Sequence, residues 1–265
     1  MSSADASEGL IAGSPAPAQT RAPVRWWMLL APIGALAAVV LLMILLRVAT
    51  GITVKPAYGH DLLGTFLASQ RGMFLFVQLF MALMYAAMLA ALWWTVRGFK
   101  GGAAYFAPVR HNTVVWAVVI GLALAFVLNG VNSVLVDNHI VAFRPTAAEI
   151  AIQPHGAAQL MLALIVVAGI APLVEEFYFR GLLLRWLRQR MALSAALVID
   201  AAVFALLHGF LFRHGGAEGW VMTAIVGSVG AVNVLWVART RSLWPAVTTH
   251  ATYNGTLVLM SFLMR

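Results

Sequence analysis

Residues 156–189 read GAAQLMLALIVVAGIAPLVEEFYFRGLLLRWLRQ. From Leu160 to Val174 every residue is apolar or small; Glu175, Glu176 and Arg180 follow, and the run then stays apolar to Leu184. A helix needs about 20 apolar residues to cross a bilayer, and this stretch has them. An ionisable group inside such a helix costs on the order of 2.5–3.5 kcal/mol even on lenient insertion scales. Three of them within six residues mark a membrane helix that carries a polar site.

Similar apolar segments lie at 26–46, 73–95, 113–135, 192–210, 220–238 and 242–264, which makes about seven spans in all. The 265 residues are 62% hydrophobic and only 10% charged, against about 25% charged for a soluble chain. The expected fold class is therefore all-α, a polytopic transmembrane helical bundle with its active site within the C-terminal four spans. This excludes a soluble enzyme, a nucleic-acid binder and a secreted disulfide scaffold. The chain has no cysteine, so thiol nucleophiles and thiolate metal sites are excluded too.

Three regions are expected. Residues 1–24 read as a disordered cytoplasmic tail, 25–150 as N-terminal transmembrane helices, and 151–265 as the catalytic membrane domain. The loop at 47–72 is expected to hold a short interfacial helix. Trp26, Trp27, Trp93 and Trp94 suit a headgroup-level aromatic belt. The net charge of +8 reads as topology signal and contact with anionic lipid. Arg21, Arg25, Arg97, Lys100, Arg110, Arg185, Arg188, Arg190, Arg239 and Arg241 fall on one side; Arg47, Lys55, Arg71, Arg144, Arg213 and Arg265 fall on the other. Ten against six puts the N-terminus in the cytoplasm.

Helical spacing sorts the polar residues into roles. Glu176 and Arg180 are i,i+4, with the acid N-terminal, the better orientation for an ion pair. Glu175 is rotated by about 100° from Glu176 and remains free for chemistry. Asp200, Phe204 and His208 share one stripe of the fifth span, and His250 and Asn254 share a face of the seventh. At 1.5 Å per residue, Glu175 and His208 both lie roughly 22–26 Å along their helices from the basic turn around Arg188 and Arg190. A free Glu, two His and an Asn can thus converge inside the membrane, in a hydrolytic site expected to open to the cytoplasm. Asp200 is expected to bond a neighbour or line the water path. Asn129, Asn132 and Asn233 read as interhelical hydrogen bonds, and Gly227, Gly230 and Ala231 as close helix packing. The Met and Phe run at 73–88 reads as lipid-facing or core, and His60, His111, His139, His155 and His214 as solvated loop residues.

Glu-Glu-x-x-x-Arg at 175–180, Phe-x-x-x-His at 204–208 and His-x-x-x-Asn at 250–254, in this order and with Gly181 after the arginine, resemble the CPBP (CAAX protease and bacteriocin-processing, or Abi) intramembrane endopeptidases. The resemblance covers about residues 155–260. It implies cleavage of a peptide bond in a membrane-associated protein or peptide. By that resemblance Glu175 and His208 activate a water, and His250 and Asn254 polarise the carbonyl and stabilise the oxyanion. Glu176 and Arg180 form the structural pair, and Phe204 supports the site. Two His and a Glu are suitable zinc ligands, but the His-Glu-x-x-His spacing is missing, and the family favours a glutamate-activated water; no metal is expected. The Ala-rich, Cys-free chain points to a bacterial inner membrane, where a prenylated CAAX substrate is not expected. The competing readings are a non-catalytic scaffold or bacteriocin-immunity factor that retains the motif and, third, a proton-relay transporter.

Overall fold

A computed structural model describes residues 23–50, 69–97, 105–142, 145, 149–150 and 153–264. Most of the expected tail, and most of the loop expected to hold an interfacial helix, lie outside them. The described residues form eight helices and no strand. These are α1 (Trp26–Thr50), α2 (Gln70–Arg97), α3 (His111–Asp137), α4 (Ala157–Arg188), α5 (Leu193–Leu207), α6 (Phe210–His214), α7 (Gly216–Thr240) and α8 (Trp244–Leu263). An all-α polytopic membrane bundle is what the sequence composition requires.

Helices stand at all seven expected positions, but five, α1–α4 and α7, are long and apolar enough to cross a membrane. The other two fall short for separate reasons. Gly209, at φ 73°, takes the left-handed conformation that glycine adopts without steric penalty, and this ends α5 after 15 residues. Helix α8 has 20 residues but carries Thr248, Thr249, His250, Thr252, Asn254 and Thr256. Val24, assigned to the tail by sequence, is buried with Met28 in the core.

Hydrogen bonds between segments define two faces of the bundle. Leu243 N–H donates to Tyr105 O at 2.7 Å and Ser242 Oγ donates to Ala107 O at 2.7 Å. The Arg185 guanidinium donates to the Tyr105 hydroxyl. These bonds gather the starts of α3 and α8 and the α4–α5 turn at one face, which is the basic one. A bond between Gln70 and His155 joins the starts of α2 and α4 at the opposite face. Trp27 and Trp94 meet edge-on at 6.5 Å, and all four belt tryptophans are exposed.

Small residues set the closest approaches. Ala117, Gly121 and Ala125 form an i,i+4 stripe on α3, buried against α8. A Cβ at Gly121 would sit 2.6 Å from Thr249 O, and Thr249 Oγ1 donates to Ala117 O at 3.0 Å. Gly227 and Gly230 of α7 face Ala201 and Ala205 of α5, the packing role expected for these glycines.

Helix α4 departs from regular winding. Its α-helical pieces alternate with π-helical turns at Leu164–Ile170 and Phe177–Leu183. In the first, Ala171 N–H bonds Val166 O, five residues back. The next carbonyl, Val167, would by the same pattern need an N–H from residue 172, which is a proline and has none. Asn254 Nδ2 of α8 takes that carbonyl at 2.9 Å. Such π turns often occur at functional sites.

Candidate active site

Two adjacent glutamates of α4 have different surroundings. Glu176 is fully buried. Its Oε1 accepts from Arg180 Nη1 at 3.2 Å, Asn233 Nδ2 at 2.9 Å and His250 Nδ1 at 2.9 Å, and its Oε2 lies 3.2 Å from Arg180 Nε. Arg180 also donates from Nη2 to Gly230 O at 2.8 Å and stands 3.4 Å from Asp200 Oδ1. Its guanidinium lies 4.5 Å over the Phe204 ring. The i,i+4 pair inferred from sequence is therefore present, and Asp200 joins it from α5 rather than lining a water path. Gly230 lets α7 come close: a Cβ there would be 3.1 Å from both Arg180 Nη2 and the Phe204 ring.

Glu175, 13% exposed, points the other way, into a cavity of about 450 Å³. Its Oε1 accepts from the Tyr85 hydroxyl of α2. Its Oε2 faces His208 Nε2 at 3.9 Å and His250 Nε2 at 3.8 Å. His208 Nδ1 lies 2.7 Å from Phe204 O, and His250 Nδ1 bonds Glu176. A carbonyl and a carboxylate only accept, so each imidazole carries its proton on Nδ1 and turns Nε2 toward Glu175. Phe204 packs edge-on against both rings, at 4.6 Å and 5.6 Å, and separates them from Arg180. Asn254 lines the cavity with one amide hydrogen committed to Val167 O.

All four sequence-derived catalytic candidates, Glu175, His208, His250 and Asn254, thus line one cavity. Its remaining wall is mostly apolar, with Met81, Leu128, Met222, Ile225 and Leu257. Opposed His and Glu nitrogen and oxygen atoms 3.8–3.9 Å apart are not joined by direct hydrogen bonds. Among the described residues no group of three or more His, Asp or Glu side chains is arranged to hold a metal ion.

Two sequence expectations need correcting. Among the described residues the cavity does not open toward the Arg188–Arg190 turn. Buried Phe177, Tyr178, Phe179, Leu182, Leu183 and Leu187 fill that end, and the cavity reaches the opposite face beside Glu149, Gln153 and Phe210. His214 is not solvated: it is 2% exposed, with Glu149 Oε1 2.9 Å from Nε2 and Glu218 Oε1 2.7 Å from Nδ1. Tyr85, within the run expected to be lipid-facing or core, is buried in the core and also bonds Glu175, a role the sequence reading did not assign. A phenol in the middle of an apolar span needs a hydrogen-bond partner, and that was the available signal. Asn233 makes the interhelical bond expected of it, but its partner is Glu176. Asn129 and Asn132 line the cavity.

Residues 157–256 match the family model described as type II CAAX prenyl endopeptidase Rce1-like. No curated protein and no solved structure matches the chain. The matched segment begins with α4, ends inside α8 and contains every residue of the two glutamate environments except Tyr85. Over this segment, somewhat more than a third of its length, the chain, an integral membrane protein, is similar to the Rce1-like CAAX-type intramembrane proteases.

Proposed function

We propose that the protein is an intramembrane endopeptidase that hydrolyses a peptide bond of a membrane-associated protein or peptide, with Glu175 and His208 activating the attacking water. The observation that carries this reading is the single carboxylate oxygen, Glu175 Oε2, set between two imidazole Nε2 atoms at 3.8 and 3.9 Å. One water bridges gaps of that length. Tyr85 holds Oε1 and so fixes the direction of Oε2.

In this mechanism the water oxygen attacks the carbonyl carbon and its proton passes to Glu175, assisted by the neutral His208. Charge collects on the former carbonyl oxygen. The second amide hydrogen of Asn254 donates to that oxygen, and His250, fixed by its Nδ1–H on Glu176, borders it. Collapse of the tetrahedral intermediate breaks the C–N bond, and the proton held by Glu175 passes to the leaving amine. Glu176, Arg180, Asp200 and Asn233 act through His250 and helix α4, so they position rather than react.

Glu175→Ala is expected to lower cleavage of a membrane peptide by about 10²-fold or more, the range for a general base. Near-normal turnover in that variant would favour the scaffold or immunity-factor reading. Exhaustive chelation is expected to leave turnover intact; loss restored by zinc would move the water onto a metal.

The charge bias proposes a cytoplasmic N-terminus in a bacterial inner membrane, which turns the cavity mouth outward. Because the chain has no cysteine, single cysteines report sidedness cleanly. An impermeant maleimide applied outside is expected to label Gln153→Cys and not Gln189→Cys; the reverse pattern would invert the topology.

A further inference from the structure

A second cavity, of about 240 Å³, lies at the basic face, away from the catalytic one. Four arginines line it, Arg180, Arg185, Arg188 and Arg241, and no acid does. Arg188 and Arg241 are exposed, and neither has an ion-pair partner among the described residues. The walls are Leu184, Leu193, Val237 and Leu243, and buried Ser242 also lines it. Arg180, at the floor, is the same residue that holds Glu176.

From this combination we infer a binding site for the phosphate headgroup of an anionic phospholipid, taken from the leaflet at the basic face. Paired guanidinium groups match phosphate oxygens. The apolar walls fit the glycerol and upper acyl carbons, which free phosphate lacks. The cavity sits at the ends of α4 and α7, two helices long enough to cross a membrane, and basic pockets between membrane helices on a positively biased face suit such lipids. The family match says nothing of this pocket's ligand, and the site does not depend on the protein being a protease.

The test is lipid binding to the full chain in neutral detergent, read by native mass spectrometry. Short-chain phosphatidylglycerol is titrated against phosphatidylcholine and inorganic phosphate. The expected result is preferential, one-to-one phosphatidylglycerol binding that inorganic phosphate does not displace. At about fivefold per arginine, Arg188→Gln with Arg241→Asn should weaken binding about 25-fold. Asn is used at 241 because the backbone there has φ 57°, which Asn tolerates. The Lys pair at the same positions should restore most of the affinity, which separates charge from folding. Arg110 and Arg239 are exposed and do not line the pocket. Neutralising them instead removes the same net charge. If that control weakens binding equally, or if phosphate competes as well as lipid, there is no lipid site here.

Discussion

The two sides of helix α4 differ more than its neighbouring residues do in sequence. On one side Glu176 is enclosed: four nitrogen atoms from Arg180, Asn233 and His250 surround it, and it is fully buried. On the other side Glu175 has one fixed bond, from Tyr85, and one oxygen facing open space between two imidazoles. Identical side chains, one residue apart, therefore have opposite uses. A fully buried carboxylate held by three hydrogen bonds and a cation holds structure; one with an oxygen facing open space can take a proton. His250 belongs to both sides, with Nδ1 on Glu176 and Nε2 toward Glu175. It bonds one acid and faces the other, so the buried side fixes the geometry of the open one.

The largest effect should come from breaking the enclosed side. Arg180→Ala leaves Glu176 and Asp200 buried without their cation, which is expected to destabilise by about 3–5 kcal/mol. Glu176→Gln should act in the same direction, with loss of folded yield and a lower melting temperature in detergent. Glu175→Gln should abolish turnover while melting close to wild type. Thermal melts of the three variants beside an activity assay decide the matter: a Glu175→Gln protein that unfolds, with Glu176→Gln unchanged, would exchange the two roles. A smaller effect sharpens the open side. Tyr85→Phe removes one hydrogen bond to Glu175, worth about 1–1.5 kcal/mol, so turnover should fall about five- to tenfold with KM little changed. An unchanged rate would make the Tyr85 contact incidental.

The basic turn and the cavity mouth form a second contrast, one that the sequence misjudged. Depth counting put Glu175 and His208 at similar distances from the Arg188–Arg190 turn, and that is compatible with the structure. What counting could not show is which end is filled. The aromatic and leucine side chains after Glu176 pack inward and close the turn side, whereas α5 stops at Gly209 and the cavity extends on that side to Glu149, Gln153 and Phe210.

The sequence by itself determined the membrane bundle, the helical positions and the i,i+4 pairing of Glu176 with Arg180, because those depend on composition and on the period of a single helix. It also put Glu175, His208, His250 and Asn254 on helices able to meet. It marked Asn233 for an interhelical bond without supplying the partner, and it did not single out Tyr85; each matters only through the helix it meets, 90 residues away for Tyr85 and 57 for Asn233. Nor could it show that Pro172 leaves Val167 O for Asn254, because that bond needs the π turn and α8 together. Local periodicity is written in the chain. Which carboxylate is filled and which is left open depends on the packing of five helices at once, and only the tertiary structure decides that.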